Sequence, residues 1–431
     1  MNSQERTNKL RNLAHTYIPA GAHTYSRSDN QFPEFAPAFV SKAKGCKFWD
    51  ENGIEYIDYS MGLLSVSVGH ANKSINNQVI KAIKNGTSYA RPSLLEGKLA
   101  EKLNSIIPSA EMVKFAKNGS DVTSAAIRLA RNYTGKKYLV RCQQQPFLSF
   151  NDWFIASTSK PGGIPKELSD WVLRFNYNDI NSLALVFESF ANEIACVIME
   201  PFTFELPKPG YLEAVKELCE RNGSILIFDE MITGFRIDLG GAQKLLNIVP
   251  HLSTFGKGIA NGYPLSVLCG DKEIMKQGNM SQSVFLLSCT FGGETVGLAA
   301  GLATIEFMEA NNAIESVIQF GIKLHKLFTE NIDQFSLSDN IKISGHPARL
   351  ELRFLINHQI SFALKTLFMQ EMMMQGIFME RIGLSFSHNE STLKKTKIAL
   401  KNTLKTISNA LETNSINEKI IGKIIEPVFT K

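Results

Sequence analysis

Two rhythms of apolar positions run through this chain. Between about residues 110 and 230, short apolar runs rich in β-branched residues alternate with longer stretches whose apolar residues recur three and four apart. Ile225-Leu226-Ile227-Phe228 is the clearest short run: it has no polar position to face water, so it predicts a strand buried on both sides. Residues 113–116, 137–141, 196–199 and, further on, 265–269 also read as strands. Residues 122–133 place Val122, Ala126, Leu129, Ala130 and Tyr133 on one helical face and stop at Gly135; residues 212–221 form a second helix, stopped by Gly223. Strands alternating with helices predict an α/β fold with a large, doubly wound, mostly parallel sheet.

The texture differs on either side. Residues 45–59 are two alternating strands around an Asn-Gly turn, a hairpin signal, and the preceding 16–39 read as an ordered loop rich in Pro, Gly, Ser and aromatics. Residues 76–84, 93–106 and 296–309 read as helices. Beyond residue 310, long amphipathic helices at 313–335 and 391–411 flank a strand region at 341–355, the pattern of a smaller α+β domain. Residues 414–431 have little pattern and suit an arm across a partner subunit. The expected division is an N-terminal loop and hairpin, 1–60, packing with the small domain; a large domain, 61–309; and a small domain, 310–431.

Composition narrows the function. A chain of 431 residues, 44% apolar, can bury a large core. Its net charge of +5 is mild and no Lys/Arg run is long enough for a nucleic-acid tract. The six cysteines form neither a Cys-x-x-Cys pair nor a metal-ligand spacing, so no metal site and a reducing, cytoplasmic setting are expected. The first eleven residues lack the apolar core of a signal peptide, and no apolar run approaches the ~20 residues of a membrane span.

Candidate chemistry collects at strand ends. Asp229 follows the 225–228 strand, where ligands gather in an open α/β sheet. Lys257 stands between Gly256 and Gly258, which would let the backbone turn tightly and leave the amine room. Asn118-Gly119-Ser120-Asp121 joins a strand to a helix N-terminus, a setting that suits a phosphate monoester. A strand-end cap and a solvated turn would account for the same letters taken singly.

Taken together, 228–236 (Phe-Asp-Glu-Met-Ile-Thr-Gly-Phe-Arg) and 250–262 (Pro-His-Leu-Ser-Thr-Phe-Gly-Lys-Gly-Ile-Ala-Asn-Gly) resemble the signature of class III pyridoxal-phosphate (PLP) aminotransferases, in particular the glutamate-1-semialdehyde aminomutase branch. The resemblance implies the fold-type I PLP-dependent transferase fold. It further implies that Lys257 holds the PLP aldehyde as a Schiff base and Asp229 keeps the pyridine nitrogen protonated. Gly119 and Ser120 would form the phosphate cup, Phe147 would stack on the ring, and Glu200 of Glu200-Pro201 would lie near the cofactor. Met231 stands where the family commonly has valine behind the ring. Thr290 would reach the phosphate of the neighbouring subunit, which implies a homodimer. Arg27 and Arg349, with Arg353, are candidates to grip a substrate carboxylate. Two departures stand out: 147–153 (Phe-Leu-Ser-Phe-Asn-Asp-Trp) replaces a Tyr-His-Gly-Trp-His-Asp-like segment, and Gly293-Glu294-Thr295 replaces Gly-Asn-Pro.

The function implied is transfer of an amino group between an amino donor and a carbonyl substrate. Relatives with a similar Phe-Leu-Ser-Phe segment resemble surface-carbohydrate enzymes, which points to a keto- or aldehydo-sugar. An intramolecular aminomutase acting on glutamate semialdehyde and a non-catalytic PLP-fold binding protein are the other readings. The 159–165 loop reads as a lid or a connector.

Overall fold

The computed structural model describes residues 3–282 and 284–429, and the chain divides into two units. One comprises the N-terminal segment through Leu63, Val68–Asn72 and the chain from Glu315 onward; the other comprises Leu64–Ser67 and Lys73–Ile314.

The second unit is organised on seven strands: β1 (Met112–Ala116), β2 (Tyr138–Cys142), β3 (Val172–Phe175), β4 (Ile194–Met199), β5 (Ile225–Asp229), β6 (Leu252–Phe255) and β7 (Ser266–Gly270). They pair in the order β1-β7-β6-β5-β4-β2-β3, and only β7 runs against its neighbours. Every residue of β4 to β7 is buried. Along β5, Ile225 and Ile227 pack with Val122, Ala126, Leu129 and Ala130 of α1 (Gly119–Thr134). Leu226 and Phe228 face the other way, against Leu212, Val215 and Cys219 of α2 (Tyr211–Arg221). Burial on both faces is why this strand shows no polar alternation. Tyr133, expected on the core face of α1, is 48% exposed, one residue before that helix ends at Thr134.

Helix α1 starts three residues earlier than its apolar pattern. Asn118 caps it, accepting the Asp121 N–H at 3.2 Å, and Gly135 ends it at φ 67°. Gly119 and Ser120 therefore lie in its first turn, where backbone N–H groups have no partner within the helix.

β6, Leu-Ser-Thr-Phe, was not evident as a strand because half of it is polar. It is nevertheless fully buried, since the Ser253 hydroxyl meets Ser109 Oγ at 2.8 Å and accepts from Gln243 Nε2 at 3.0 Å. With β7 antiparallel to both β6 and β1, the carboxyl ends of β1, β2, β4, β5 and β6 and the start of β7 gather along one edge.

In the first unit, Lys47–Asp50 and Glu55–Asp58 form the hairpin, with Gly53 at φ +84° in the turn and Asp50 Oδ1 accepting the Asn52 and Ile54 N–H groups at 2.8 Å each. Val40–Lys44 and Ile377–Phe378 extend it to four strands. A second sheet joins Ile341–His346, Arg349–Ile356 and Gln359–Ile360. Helix Ser3–Tyr17 precedes three short 3-10 turns, Pro19–Gly21, Tyr25–Arg27 and Asp29–Gln31, in the stretch expected to be an ordered loop. The C-terminal stretch is fastened within its own chain: Gln370 donates to Lys419 O at 2.9 Å and accepts from Ile421 N at 2.8 Å, and Glu426 N donates to Asn30 O at 2.9 Å. Among the described residues no helix is long and apolar enough to cross a membrane.

Candidate active site

The strand ends of the second unit open onto a cavity of about 360 Å³, within the range of roughly 300–1,000 Å³ usual for small-molecule sites. Gly119, Ser120, Phe147, Glu200, Asp229, Met231 and Lys257 all line it. Met199 pairs with Phe228 across β4 and β5, so the next residues, Glu200 and Asp229, emerge side by side from neighbouring parallel strands.

Asp229 is 3% exposed. Its Oδ1 accepts the Met231 N–H at 2.9 Å, and among the described residues no hydrogen bond reaches Oδ2. Burial pushes its carboxyl up to about 7, and Glu200 beside it adds to the rise; the Met231 N–H and the Lys257 charge pull the other way. A buried acid with one oxygen unmatched and a second carboxylate alongside is a site that favours a cation, which is what a protonated pyridine ring offers.

The adjoining Glu230 is fully buried and serves the fold. It accepts the Thr233 hydroxyl, the Ala242 N–H at 2.8 Å and the Gln243 N–H at 2.9 Å, and so secures the loop that follows Asp229. Gly241 is required there, because a Cβ would come within 2.5 Å of Glu230 Oε2.

Lys257 opens a short 3-10 turn, Lys257–Ala260, directly after β6. The flanking glycines do not make this turn as expected. Lys257 itself takes the left-handed backbone, at φ 42°, a conformation costing a side-chain-bearing residue roughly 1–2 kcal/mol. Ile259 N bonds Gly256 O at 3.1 Å, and the Ser67 hydroxyl donates to Gly258 O at 2.8 Å. Gly256 is extended, at φ −175°, and is needed for space: a Cβ there would come 2.7 Å from Met231 Sδ. A Cβ on Gly119 would meet the same sulfur at 2.9 Å. Met231 is thus wedged between the turn at Gly119 and the turn at Lys257, and two glycines accommodate a side chain longer than valine.

The segment that departs from the family pattern is fastened to the start of α1. Phe150 N donates to Ser120 Oγ at 2.9 Å, Asn151 Nδ2 to Ser124 Oγ at 2.6 Å, and Trp153 Nε1 to Ser124 Oγ at 2.8 Å. Phe147 meets Phe154 edge-on with centroids 5.8 Å apart and is half exposed at the cavity. The second departure also has a role. Glu294 caps α3 (Thr295–Ala310), accepting Val296 N and Gly297 N at 2.9 and 2.8 Å, and pairs with Lys117 at 2.6 Å.

Four candidates are not brought to this cavity. Thr290 is exposed and does not line it, and Arg27, Arg349 and Arg353 belong to the other unit. The 159–165 loop does not line it either. Conversely, Ser65, Lys117, Phe150 and Tyr263 line the cavity without having been singled out. Gln145 was also missed: it is 2% exposed, and its side chain donates to Glu200 O at 2.7 Å and accepts from Glu200 N at 2.9 Å. A glutamine in a loop carries no sequence signal for such a contact.

The residues fit PLP: a helix N-terminus for the phosphate, a buried acid for the ring nitrogen, a lysine for the aldehyde and an aromatic face at the cavity. Fold and site define a fold-type I PLP-dependent enzyme. The chain belongs to the class III aminotransferase family, which matches residues 27–411. It is 36% identical over 337 residues to 3-aminobutyryl-CoA aminotransferase of Cloacimonas acidaminovorans (strain Evry), covering 76% of this chain and 79% of that one. It is 34% identical over 339 residues to glutamate-1-semialdehyde 2,1-aminomutase of Syntrophobacter fumaroxidans, covering 73% and 75%. Among solved structures, the Sphingopyxis sp. MTA144 FumI protein in its PLP internal aldimine form superposes with a TM-score of 0.86 at 25% identity, covering 95% of this chain and 98% of that one. A glutamate-1-semialdehyde aminomutase from Pseudomonas aeruginosa PAO1 shares the fold, with a TM-score of 0.82 at 18% identity, covering 94% and 95%.

The Asp229 carboxyl gives a pH-dependent prediction. Its proton affinity is raised in the folded protein, from an ordinary 3.8 to about 7. The stability it contributes is therefore fully present below the unfolded value and is lost as pH rises through the folded one. In cofactor-free protein, Asp229→Asn is expected to raise Tm at about pH 8 and to change it little at about pH 4, while weakening PLP binding. Calorimetry at both pH values checks this, and equal effects at the two would show that Asp229 is not the titrating group.

Proposed function

We propose that this chain is a PLP-dependent aminotransferase that moves an amino group from an amino donor to a carbonyl substrate, with a keto- or aldehydo-sugar as the acceptor class. The observation that carries this reading is the meeting of Asp229, Glu200 and Lys257 at one cavity beside the first turn of α1. When bound, PLP supplies an electron sink for negative charge on the amino-bearing carbon. The protein's part is to hold and move charge. Gly119 and Ser120 bind the phosphate through N–H groups, Asp229 balances the positive ring nitrogen, and the Lys257 amine carries a proton to and from the reacting carbon. Phe147 and Phe150, half exposed at the cavity, offer apolar faces that suit the CH face of a sugar ring.

The relatives at about 34% identity named as glutamate-1-semialdehyde 2,1-aminomutases favour a second reading, an intramolecular amino shift. Supplying PLP-loaded protein with amino donors and carbonyl acceptors separates the two. The aminotransferase reading expects the donor alone to give at most one equivalent of its carbonyl product per PLP site, with continued formation only when an acceptor is present. Conversion of glutamate 1-semialdehyde to its 2,1-shifted isomer with no external donor would replace it with the second reading.

The chain is further proposed to act as a homodimer in the cytoplasm. The exposed Thr290 lies outside its own cavity, as a residue serving a partner's phosphate would, and five of the six free cysteines are buried, in keeping with a reducing compartment. Mixing inactive Lys257→Ala chains with inactive Thr290→Val chains is expected to restore activity. One site of each mixed dimer would then carry neither lesion. No recovery after demonstrated subunit exchange would mean that Thr290 does not act across an interface.

A further inference from the structure

The turn at Gly119 and Ser120 offers a phosphate neutral donors: backbone N–H groups in the first turn of α1 and the Ser120 hydroxyl, whose oxygen already accepts from Phe150 N at 2.9 Å. A phosphate monoester carries about −1.5 to −2 of charge at neutral pH, and taking that charge out of water calls for a cation. Among the described residues that line the cavity, the cations are Lys117 and Lys257, and Lys257 is the amine that the aldehyde would take. Lys117 follows β1 directly and shares with Gly119 the short connection from that strand to α1. Its ammonium donates to Glu294 Oε1 at 2.6 Å and to the backbone oxygen of Pro264, another residue of the cavity wall, at 3.4 Å.

Taken alone, the seat of this ammonium is a poor one for a cation. It lies against the first turn of α3, where a Cβ on Gly297 would come within 2.9 Å of Lys117 Nζ, and a helix N-terminus disfavours positive charge. Glu294 offsets that: the same carboxylate accepts Val296 N at 2.9 Å and Gly297 N at 2.8 Å, and the pair is largely shielded, with side chains 19% and 14% exposed. A neutral donor at position 117 would satisfy Glu294 and Pro264 without setting a charge at that helix end, so the charge answers to something on the cavity side. Resting on the reading of this cavity as a PLP site, we propose that Lys117 is the cation that balances the cofactor phosphate in this chain, and that Glu294 holds it at the cavity wall and partly neutralises it. The two residues then act on a bound phosphate with opposite sign. The ammonium attracts it and the carboxylate repels it.

The test is the affinity of the parent, Lys117→Met and Glu294→Gln for two probes, PLP and pyridoxal, which has the same ring and aldehyde without the phosphate. Methionine keeps the length of the lysine and loses its charge; glutamine keeps an oxygen for the α3 cap and loses the carboxylate charge. Lys117→Met is expected to bind PLP about tenfold more weakly at low salt, with the loss shrinking as salt is added, and Glu294→Gln to bind it about threefold more tightly. Pyridoxal affinity is expected to stay at the parent's value in both. A pair that only braces the turn would weaken both probes alike whichever partner is lost. Equal losses for PLP and pyridoxal, or a Glu294→Gln protein that binds PLP no more tightly than the parent, would therefore overturn the proposal, and the second result decides it even where Lys117→Met does not fold. A parent that binds neither probe would instead overturn the reading of the cavity on which it rests.

Discussion

The constraint on which the site depends is the burial of Asp229. A carboxylate taken out of water needs compensation, and here one backbone N–H, from Met231, is set against burial and a second carboxylate at Glu200. The result is an acid held near neutrality, a state the fold tolerates because the surroundings are fixed. The strands on both sides are paired in parallel, and Glu230 fastens the loop beyond through three donors. Left alone, such an arrangement is less stable the higher the pH, and a bound cation reverses that. Cofactor binding and protein stability are in this sense one balance.

The lysine side of the cavity follows a different logic. Its position is set by backbone strain and close packing, with Lys257 in the left-handed region and Met231 filling the space between Gly119 and Gly256. One thioether touches the turn that would hold a phosphate and the turn that carries the amine. The two turns lie 138 residues apart in the chain, so shifting Met231 would disturb both. The Ser67 hydroxyl on the Gly258 carbonyl adds a third, buried tie from the N-terminal part of the chain.

Much of this was legible in the sequence, for identifiable reasons. Strands such as β4 and β5 are buried on both faces and show it as unbroken apolar runs, and Asp229 and Lys257 sit in motifs specific enough to name a family. Two of the elements that were missed lack the one-sided pattern that periodicity detects. β6 hides two buried hydroxyl residues, and helix Phe362–Met374 buries Thr366 and Gln370 along with its leucines and methionines, so it presents no polar stripe. The reason for Gly256 was not legible either, because it is a contact with a side chain 25 residues away and not a backbone angle. Gln145 gave no signal at all: its role exists only once β2 and β4 lie side by side.

The central claim is that Lys257 and Asp229 define a PLP site in which Lys257 alone carries the cofactor. Reducing the PLP-loaded protein with borohydride and mapping the pyridoxyl label measures this most directly. The account predicts a single label per chain, on the peptide containing Lys257. A label on any other lysine, or a reduced protein with none, would contradict it.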